Sequence, residues 1–381
     1  MWRWASAAAA ACIVTTLLPL DAAGDVVRRM APVLVFLVAV TVLAELCEAA
    51  RLFDVAATLA ARWARGRTGV LFVLVAAVAT LTTVLLGLDT TAVLLTPVVL
   101  SLAVQLDLPP MPFALLTVWL ANTASLLLPV SNLTNLLALD ELDLEPHEFA
   151  ARMWLPALVA VVVTVAMLGA RHHRLLRVRY ARPRRPRVPD RILLVLSALV
   201  CAALVPALLL GGDPALVVTL GAAVLVVGFA VRRRAVLRFA LVPWQLTLFV
   251  LGLAITVETV LRHGGQTVVE TLTGDGSRTV DLLQLSGVAA VTSNLVNNLP
   301  AYLVMEPHAA TGDDVRLLAL LVGTNVGPMV LLWGSLATLL WRERLRARGL
   351  DVSPRQFATA GLVGVPLVLV STTLALSFSA R

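Results

Sequence analysis

The stretch Ser293-Asn294-Leu295-Val296-Asn297-Asn298-Leu299-Pro300 gathers a hydroxyl, three amides and a proline between two short apolar pieces, within residues 280–306. Each apolar limb is about a dozen residues or fewer, short of the roughly 20 that a helix needs to cross the hydrocarbon of a bilayer. Backbone that leaves a helix inside a membrane must be satisfied by protein or by water in a cavity, because lipid offers no hydrogen bonds. The stretch therefore reads as the turn of a re-entrant hairpin. A second hairpin is expected over residues 68–106, turning at Gly87-Leu88-Asp89-Thr90-Thr91. Its limbs are longer, so either a full crossing or a re-entrant path fits. Re-entrance is favoured, because a carboxylate at mid-membrane is costly unless it faces a wet cavity.

The rest of the chain supplies the membrane around these hairpins. Of 381 residues, 59% are hydrophobic and only 14% charged, with a mean hydropathy of +0.92, against roughly 25% charged in soluble proteins. Full crossings are expected at Ala5 to Leu20, Ala31 to Ala50, Pro112 to Leu137, Met153 to Ala170, Ile192 to Leu210, Ala215 to Val231, Leu241 to Leu261, Val315 to Trp341 and Gln356 to Phe378. Arg3 ahead of the first stretch resembles a secretory signal, but no convincing cleavage site follows, so the stretch is kept as a helix. The net charge of +7 and pI near 10.7 arise from arginines in short loops, which act as topology signals and not as a nucleic-acid surface. They cluster at Arg62, Arg65 and Arg67, from Arg171 to Arg191, at Arg232, Arg233, Arg234 and Arg238, and at Arg342, Arg344, Arg346 and Arg348. All four clusters are cytoplasmic only if each hairpin returns to the face it left. Asp140 to Glu148 carries five carboxylates and neither lysine nor arginine, which fits the outer side. Arg28 and Arg29, partly offset by Asp21 and Asp25, are the exception.

Aligning Phe36 with Phe249 places Glu45 on Glu258 and matches FLVAVTVLAE to FVLGLAITVE, each in the crossing before a hairpin. The turns then correspond, Asp89 with Asn297 or Asn298. Beyond each hairpin Asn122-Thr123 falls opposite Asn325-Val326, and Ser131-Asn132-Leu133-Thr134-Asn135 opposite Gly334-Ser335-Leu336-Ala337-Thr338. The hairpins enter from opposite faces, so the repeats are inverted, an arrangement that places a binding site between them. The expected fold is an all-α polytopic membrane protein of two inverted repeats, with about nine transmembrane helices plus two re-entrant hairpins. Residues 1–170 form the first repeat, 171–191 a basic cytoplasmic loop and 192–381 the second repeat. The second half carries one more crossing ahead of its hairpin than the first. Breaks are expected at Gly87, Pro97, Pro129, Pro300, Gly323, Gly327 and Pro328.

Asp89 is the candidate proton or cation carrier, against the alternative of an outer-loop carboxylate. Asn297 and Asn298 either coordinate a solute or only satisfy the turn, as asparagine often does. Thr90, Thr91, Asn122, Ser131, Asn132, Thr134, Asn135, Asn294, Thr324 and Asn325 are polar groups in apolar surroundings; interhelical hydrogen bonding is the plainer role for each. Glu45 and Glu258 lie near helix ends, where snorkelling is expected. Cys12, Cys47 and Cys201 are far apart in sequence and suggest neither a disulfide nor a metal site. His172 and His173 fall in the basic loop, and His147, His263 and His308 in outer segments; none points to a metal. No HExxH or GxSxG motif is present, so no catalytic set and no cofactor are expected.

At Leu88-Asp89-Thr90-Thr91-Ala92-Val93-Leu94-Leu95-Thr96-Pro97, at Ala121-Asn122-Thr123-Ala124-Ser125 through Pro129-Val130-Ser131-Asn132-Leu133-Thr134-Asn135, and at Ser293-Asn294 through Asn297-Asn298-Leu299-Pro300-Ala301, the chain resembles the arsenical pump membrane protein family. That family belongs to the ion transporter superfamily, with the divalent anion:sodium symporters and some sodium/proton antiporters. The resemblance covers the chain from about Ala31 onward and implies a multi-pass protein of the cytoplasmic membrane that exports arsenite or antimonite. It implies coupling to the proton gradient or membrane potential, and in some members a soluble ATPase partner. A homodimer is among the expected assemblies, and the basic loop is expected to lie on anionic lipid. The substrate is then a small oxyanion or neutral hydroxide. Coupled movement of a small carboxylate such as citrate by H+ or Na+, or sodium/proton antiport, is the alternative. The divalent anion symporters carry a Ser-Asn-Thr type signature in both turns, which Leu-Asp-Thr and Asn-Asn-Leu-Pro do not match. The arsenical family often has Asn where this chain has Leu88.

Overall fold

The computed structural model describes residues 2–379 except 185 and 187, so those two positions of the basic loop lie outside the described residues. The first half folds into α1 (Trp2–Val14), α2 (Leu20–Ala49), α3 (Leu52–Trp63), α4 (Thr68–Leu86), α5 (Leu88–Thr90), a π-helical turn (Thr91–Leu95), α6 (Thr96–Gln105), α7 (Pro110–Thr123), α8 (Leu133–Glu141) and α9 (Pro146–Arg171). After the basic loop come α10 (Arg191–Leu209), α11 (Pro214–Arg232), α12 (Trp244–Val260), α13 (Gln266–Thr273), α14 (Thr279–Val296), α15 (Asn298–Ala309), α16 (Asp314–Val326), α17 (Leu336–Arg346) and α18 (Pro354–Ser379).

Local chemistry sets many of these starts. Asp190, Asp213 and Asp313 cap α10, α11 and α16 by accepting hydrogen bonds from the first free amides, and Glu145 with Glu148 forms a capping box at α9. Pro110, Pro146, Pro214 and Pro354 open their helices where an amide would be unpaired anyway.

Nine helical stretches among the described residues are long and apolar enough to cross a membrane. They are not the nine crossings expected from hydropathy. Both limbs of the first hairpin and the α14 limb of the second qualify, whereas the crossings expected at 112–137 and 315–341 are each split into two shorter helices. The first crossing ends early, α1 stopping at Val14, and α2 begins at Leu20, so Arg28 and Arg29 lie within a helix and not in an outer loop. On α11, Leu216, Leu220, Val224, Val227 and Val231 are exposed while Val218, Ala222, Leu225 and Phe229 are buried. An apolar stripe facing outward at helical spacing is a lipid-facing surface.

The two halves repeat the same order of elements. A broken crossing follows each hairpin, α7 with α8 and α16 with α17, and a 26-residue helix containing a proline closes each half, α9 with Pro156 and α18 with Pro366. Those two closing helices pack along each other. The leading helices are exchanged: α1 packs along α12, and its counterpart α11 packs along α2. The additional crossing of the second half is thus α10, which has no partner in the first. Gly364 sits where a Cβ would come 2.4 Å from Trp119 Cη2, so the absence of a side chain lets α18 close on α7.

The arginine-rich segments meet at one end of the bundle. Arg62 donates to Pro183 O at 2.9 Å, Tyr180 to Ala61 O at 2.7 Å, and Arg232 to Asp190 at 2.7 Å. Arg233 reaches Ala49 O at 3.2 Å, and Arg344 lies within electrostatic reach of Glu48.

Candidate functional site

Each hairpin turns on one residue. Gly87 has φ 87° and ψ 164°, and Asn297 has φ 89° and ψ 156°, a region that is essentially reserved for glycine. The hydrogen bonds flanking them are the same: Gly87 N–H donates to Thr83 O and Asn297 N–H to Ser293 O, each at 2.9 Å. On the far side Thr91 N–H returns to Gly87 O at 3.3 Å, and Ala301 N–H to Asn297 O at 3.1 Å. The structural partner of Asn297 is therefore Gly87, and Asp89 corresponds to Leu299; the sequence alignment of Asp89 with Asn297 or Asn298 is corrected by two residues or one. The short limbs expected for the second hairpin are corrected as well, since α14 runs for 18 residues.

Both turns are fastened to the break that follows in the same half. Ser131 Oγ donates to Val84 O at 3.1 Å. In the second half Asn294 does the equivalent work from the hairpin side: its Nδ2 donates to Gly327 O at 2.7 Å, and its Oδ1 accepts from Leu331 N–H at 2.8 Å. Asn297 Nδ2 donates to Trp333 O at 2.9 Å, while a Cβ on Gly87 would face Ser131 O at 3.4 Å and Val130 O at 3.7 Å. Gly327 packs so closely on Ala290 that a Cβ would lie 2.3 Å from Ala290 Cα. Gly323 is not a break; it lies inside α16 and clears Ser286 and Ala289 of α14.

The two halves meet through amides. Asn132 caps α8 and Ser335 caps α17, the positions aligned from sequence, and both have extended backbone. Asn132 Nδ2 and Thr134 Oγ1 both donate to Asn325 Oδ1, the latter at 3.4 Å. Asn325 Nδ2 in turn donates to Asn135 Oδ1 at 3.1 Å, and Asn135 Nδ2 closes the break of its own half through Ser125 O at 2.6 Å and Leu128 O at 3.1 Å.

Leu88, Asp89, Asn132, Leu133, Phe249, Val250, Asn297, Asn298, Leu299 and Leu336 enclose a cavity of about 20 Å³, room for one water-sized species. Both turns and both capped helix starts contribute to it. Asp89 Oδ1 and Asn297 Oδ1 are buried acceptors without a hydrogen-bond partner, and no lysine, arginine or histidine lines the wall. A buried acceptor left unpaired costs about 1–3 kcal/mol, so a donor that reached either oxygen would be stabilised there. A solute larger than water enters only if the turns part.

The remaining candidates lie outside this wall. Thr90 Oγ1 returns to Leu86 O at 2.6 Å, Thr91 Oγ1 meets Thr83 Oγ1 at 2.8 Å, and Thr324 Oγ1 returns to Leu320 O at 3.0 Å. Asn122 Nδ2 donates to Val118 O at 2.9 Å, with its buried Oδ1 unpaired. Glu258 pairs with Arg262, four residues further on and just past α12, at 2.7 Å. His308, expected in an outer segment, is buried and bonds Gly274 O at 3.1 Å. Among the described residues no group of three or more His, Cys, Asp or Glu is placed to hold a metal.

Two clusters escaped sequence reasoning. Arg29 pairs with Glu306 at 2.6 Å and with Glu141 at 3.5 Å, and Tyr302 OH donates to Glu306 Oε1 at 3.0 Å. The misfit of Arg29 with the charge rule was its signal. Cys47 and Cys201, read as isolated, have their Sγ atoms 3.5 Å apart.

Comparison with known proteins agrees with this architecture. The chain is 29% identical over 376 residues to the arsenical pump membrane protein of Escherichia coli strain K12, covering 89% of this chain and 84% of the relative. It is 26% identical to an uncharacterized transporter of Mycobacterium tuberculosis strain H37Rv, over 87% of this chain and 82% of the relative. The crystal structure of the YdaH transporter of Alcanivorax borkumensis, described as having an unusual topology, superposes with a TM-score of 0.59 at 16% identity, covering 95% of this chain and 89% of that one. That likeness concerns the fold. The profile described as citrate transporter matches residues 1–314, and this multi-pass membrane transporter therefore belongs to the citrate transporter family.

Proposed function

We propose that the chain is a secondary transporter that exports arsenite or antimonite, driven by the proton gradient or the membrane potential, with the cavity between the two hairpin turns as its solute site. One observation supports the substrate choice: Asp89 and Asn297, both on the cavity wall, each keep a buried oxygen, Oδ1, without a hydrogen-bond partner, and no cation lines that wall. Arsenite at neutral pH is mainly an uncharged trihydroxide, a donor of hydrogen bonds that suits such a wall. The carboxylate groups of an anion such as citrate only accept hydrogen bonds and would face Asp89 without a counter-charge. The relatives named arsenical pump membrane proteins support the same choice. In this reading Asp89 is the coupling carboxylate, Asn132, Asn297 and Asn298 contact the solute, and Ser131, Thr134, Asn294 and Asn325 hold the turns and breaks in register. The arginine-rich end of the bundle faces the cytoplasm.

A second reading has the family description in its favour: H+- or Na+-coupled movement of citrate or another small carboxylate. Everted vesicles from a pump-deficient host separate the two. Arsenite accumulation under an imposed proton gradient by wild type, lost in Asp89→Asn, supports the arsenite reading and the role of Asp89. Equal accumulation by both keeps the substrate and discards that role. No arsenite uptake, with gradient-driven citrate uptake instead, moves the assignment to the carboxylate.

A further inference from the structure

Cys47 lies near the end of α2, and Cys201 lies in the middle of α10, the helix without a counterpart in the first half. They are 154 residues apart in sequence, both are buried, and their sulfurs approach to 3.5 Å. Ser197, one turn before Cys201 on the same face of α10, stands beside Cys47. Its hydroxyl is fully buried, with the Cys47 thiol as a hydrogen-bonding neighbour. Gly221 of α11 packs tightly against the same two helices: a Cβ there would meet Leu43 Cδ1 at 3.1 Å and Val200 Cγ1 at 3.2 Å. Two thiols and a hydroxyl thus converge on one point, well separated in the chain from the hairpin turns.

We propose that Cys47 and Cys201 form a dithiol site for trivalent arsenic or antimony, distinct from the transport cavity. A trivalent metalloid prefers soft sulfur ligands and takes three in a pyramid. Arsenous acid would react as As(OH)3 + 2 RSH → (RS)2As–OH + 2 H2O. Two As–O bonds break and two As–S bonds form, each thiol proton leaves with a departing hydroxide as water, and no oxidation state changes. Ser197, the hydroxyl neighbour of Cys47, is the polar group that the hydroxide left on arsenic would meet. The product ties α2 to α10. The inference rests on the arsenite reading only for the supply of metalloid; the thiol chemistry stands without it. Because both sulfurs are buried, the exchange is slow and follows opening of the α2–α10 contact.

The test uses purified full-length protein in detergent, reduced, incubated with sodium arsenite and desalted, with bound arsenic measured by mass spectrometry. Wild type is expected to retain stoichiometric arsenic. Retained arsenic is expected to survive a monothiol wash and leave with a dithiol, and this arm needs no variant. Cys47→Ser and Cys201→Ser, checked for folding by gel filtration, are each expected to bind at least about 100-fold more weakly, because the second thiol acts at high effective concentration. Asp89→Asn is expected to retain arsenic as wild type does. Failure of wild type to retain arsenic, or retention that both serine variants keep, overturns the site. Cysteine-dependent retention without arsenite transport in vesicles would overturn the proposed substrate and leave the dithiol site standing.

Discussion

Asn325 in the second half donates through Nδ2 to Oδ1 of Asn135 in the first half, at 3.1 Å, while its own Oδ1 accepts from Asn132 and Thr134. One buried amide therefore uses both ends to join the break after each hairpin to the other. Asn325→Ala removes a donor and an acceptor at once and strands Asn135 Oδ1. Each buried group left unpaired costs about 1–3 kcal/mol, although bonds between membrane helices average nearer about 0.6 kcal/mol. A fall in the thermal unfolding midpoint in detergent is expected, with loss of transport at a temperature where the protein remains folded. Normal transport by Asn325→Ala would show that the two halves do not need this link.

The turn residues make a paired prediction. Gly87 and Asn297 share a backbone conformation that costs a residue with a Cβ on the order of 1–3 kcal/mol. Gly87→Ala is expected to lower stability by about that amount, while Asn297→Gly relieves the strain but gives up the bond to Trp333 O. Asn297→Ala keeps the strain and loses the bond. The expected order of unfolding midpoints is therefore Asn297→Gly above Asn297→Ala, and an inverted order would mean that the turn is not held in this conformation.

Arg29 and Glu306 tie α2 to the second limb of the second hairpin, and the Glu306 side chain is only 1% exposed. Removing one partner of a buried pair costs up to about 3–5 kcal/mol, because a charge is left uncompensated; Arg29 is 41% exposed, so the lower part of that range applies. Arg29→Met is expected to destabilise more than the Arg29→Met/Glu306→Gln double variant, which removes the stranded charge. Additive losses in a double-mutant cycle would show that the pair contributes nothing.

Asp190 stands outside the spanning helices, where the hydrogen bond from Arg232, with help from the Leu193 and Ile192 amides, holds its carboxyl below the ordinary carboxylate range. A lowered pKa in the fold means that the stabilisation is complete above the unfolded value, near 3.9. It fades as pH falls through the folded value. Asp190→Asn should therefore lower the unfolding midpoint at neutral pH and flatten its decline in acid. An unchanged acid limb would show that the Arg232 contact does not matter to stability.

The two hairpins were legible because amides, glycine and proline rarely collect inside an apolar run unless the helix stops there. Where the second one turns was less legible. Ser293 and Asn294 look like turn residues, yet they stay helical because their side chains bond back to Ala289 O and Ala290 O, each at 2.8 Å. The alignment of Asn132 with Ser335 matched the structure because both are helix caps, while Asp89 was matched wrongly because the turn depends on a backbone angle and not on a polar side chain. Hydropathy alone runs on through residues 112–137 and 315–341, since leucine and valine continue on both sides of each break, and Pro129, Gly327 and Pro328 are what mark the breaks in the sequence. The Cys47–Cys201 contact left no local trace, because only the packing of α10 on α2 creates it.

The single-residue turns have an electrostatic consequence. At each tip the carbonyl end of one helix and the amide end of the next are separated by one residue, so their opposite partial charges, about half an electron each, lie side by side. Such a pair behaves as a short dipole whose field falls off quickly, and neither turn can hold an ion by helix charge alone. The one formal charge on the cavity wall belongs to Asp89. A single proton then decides whether the chamber between the hairpins is negative or neutral.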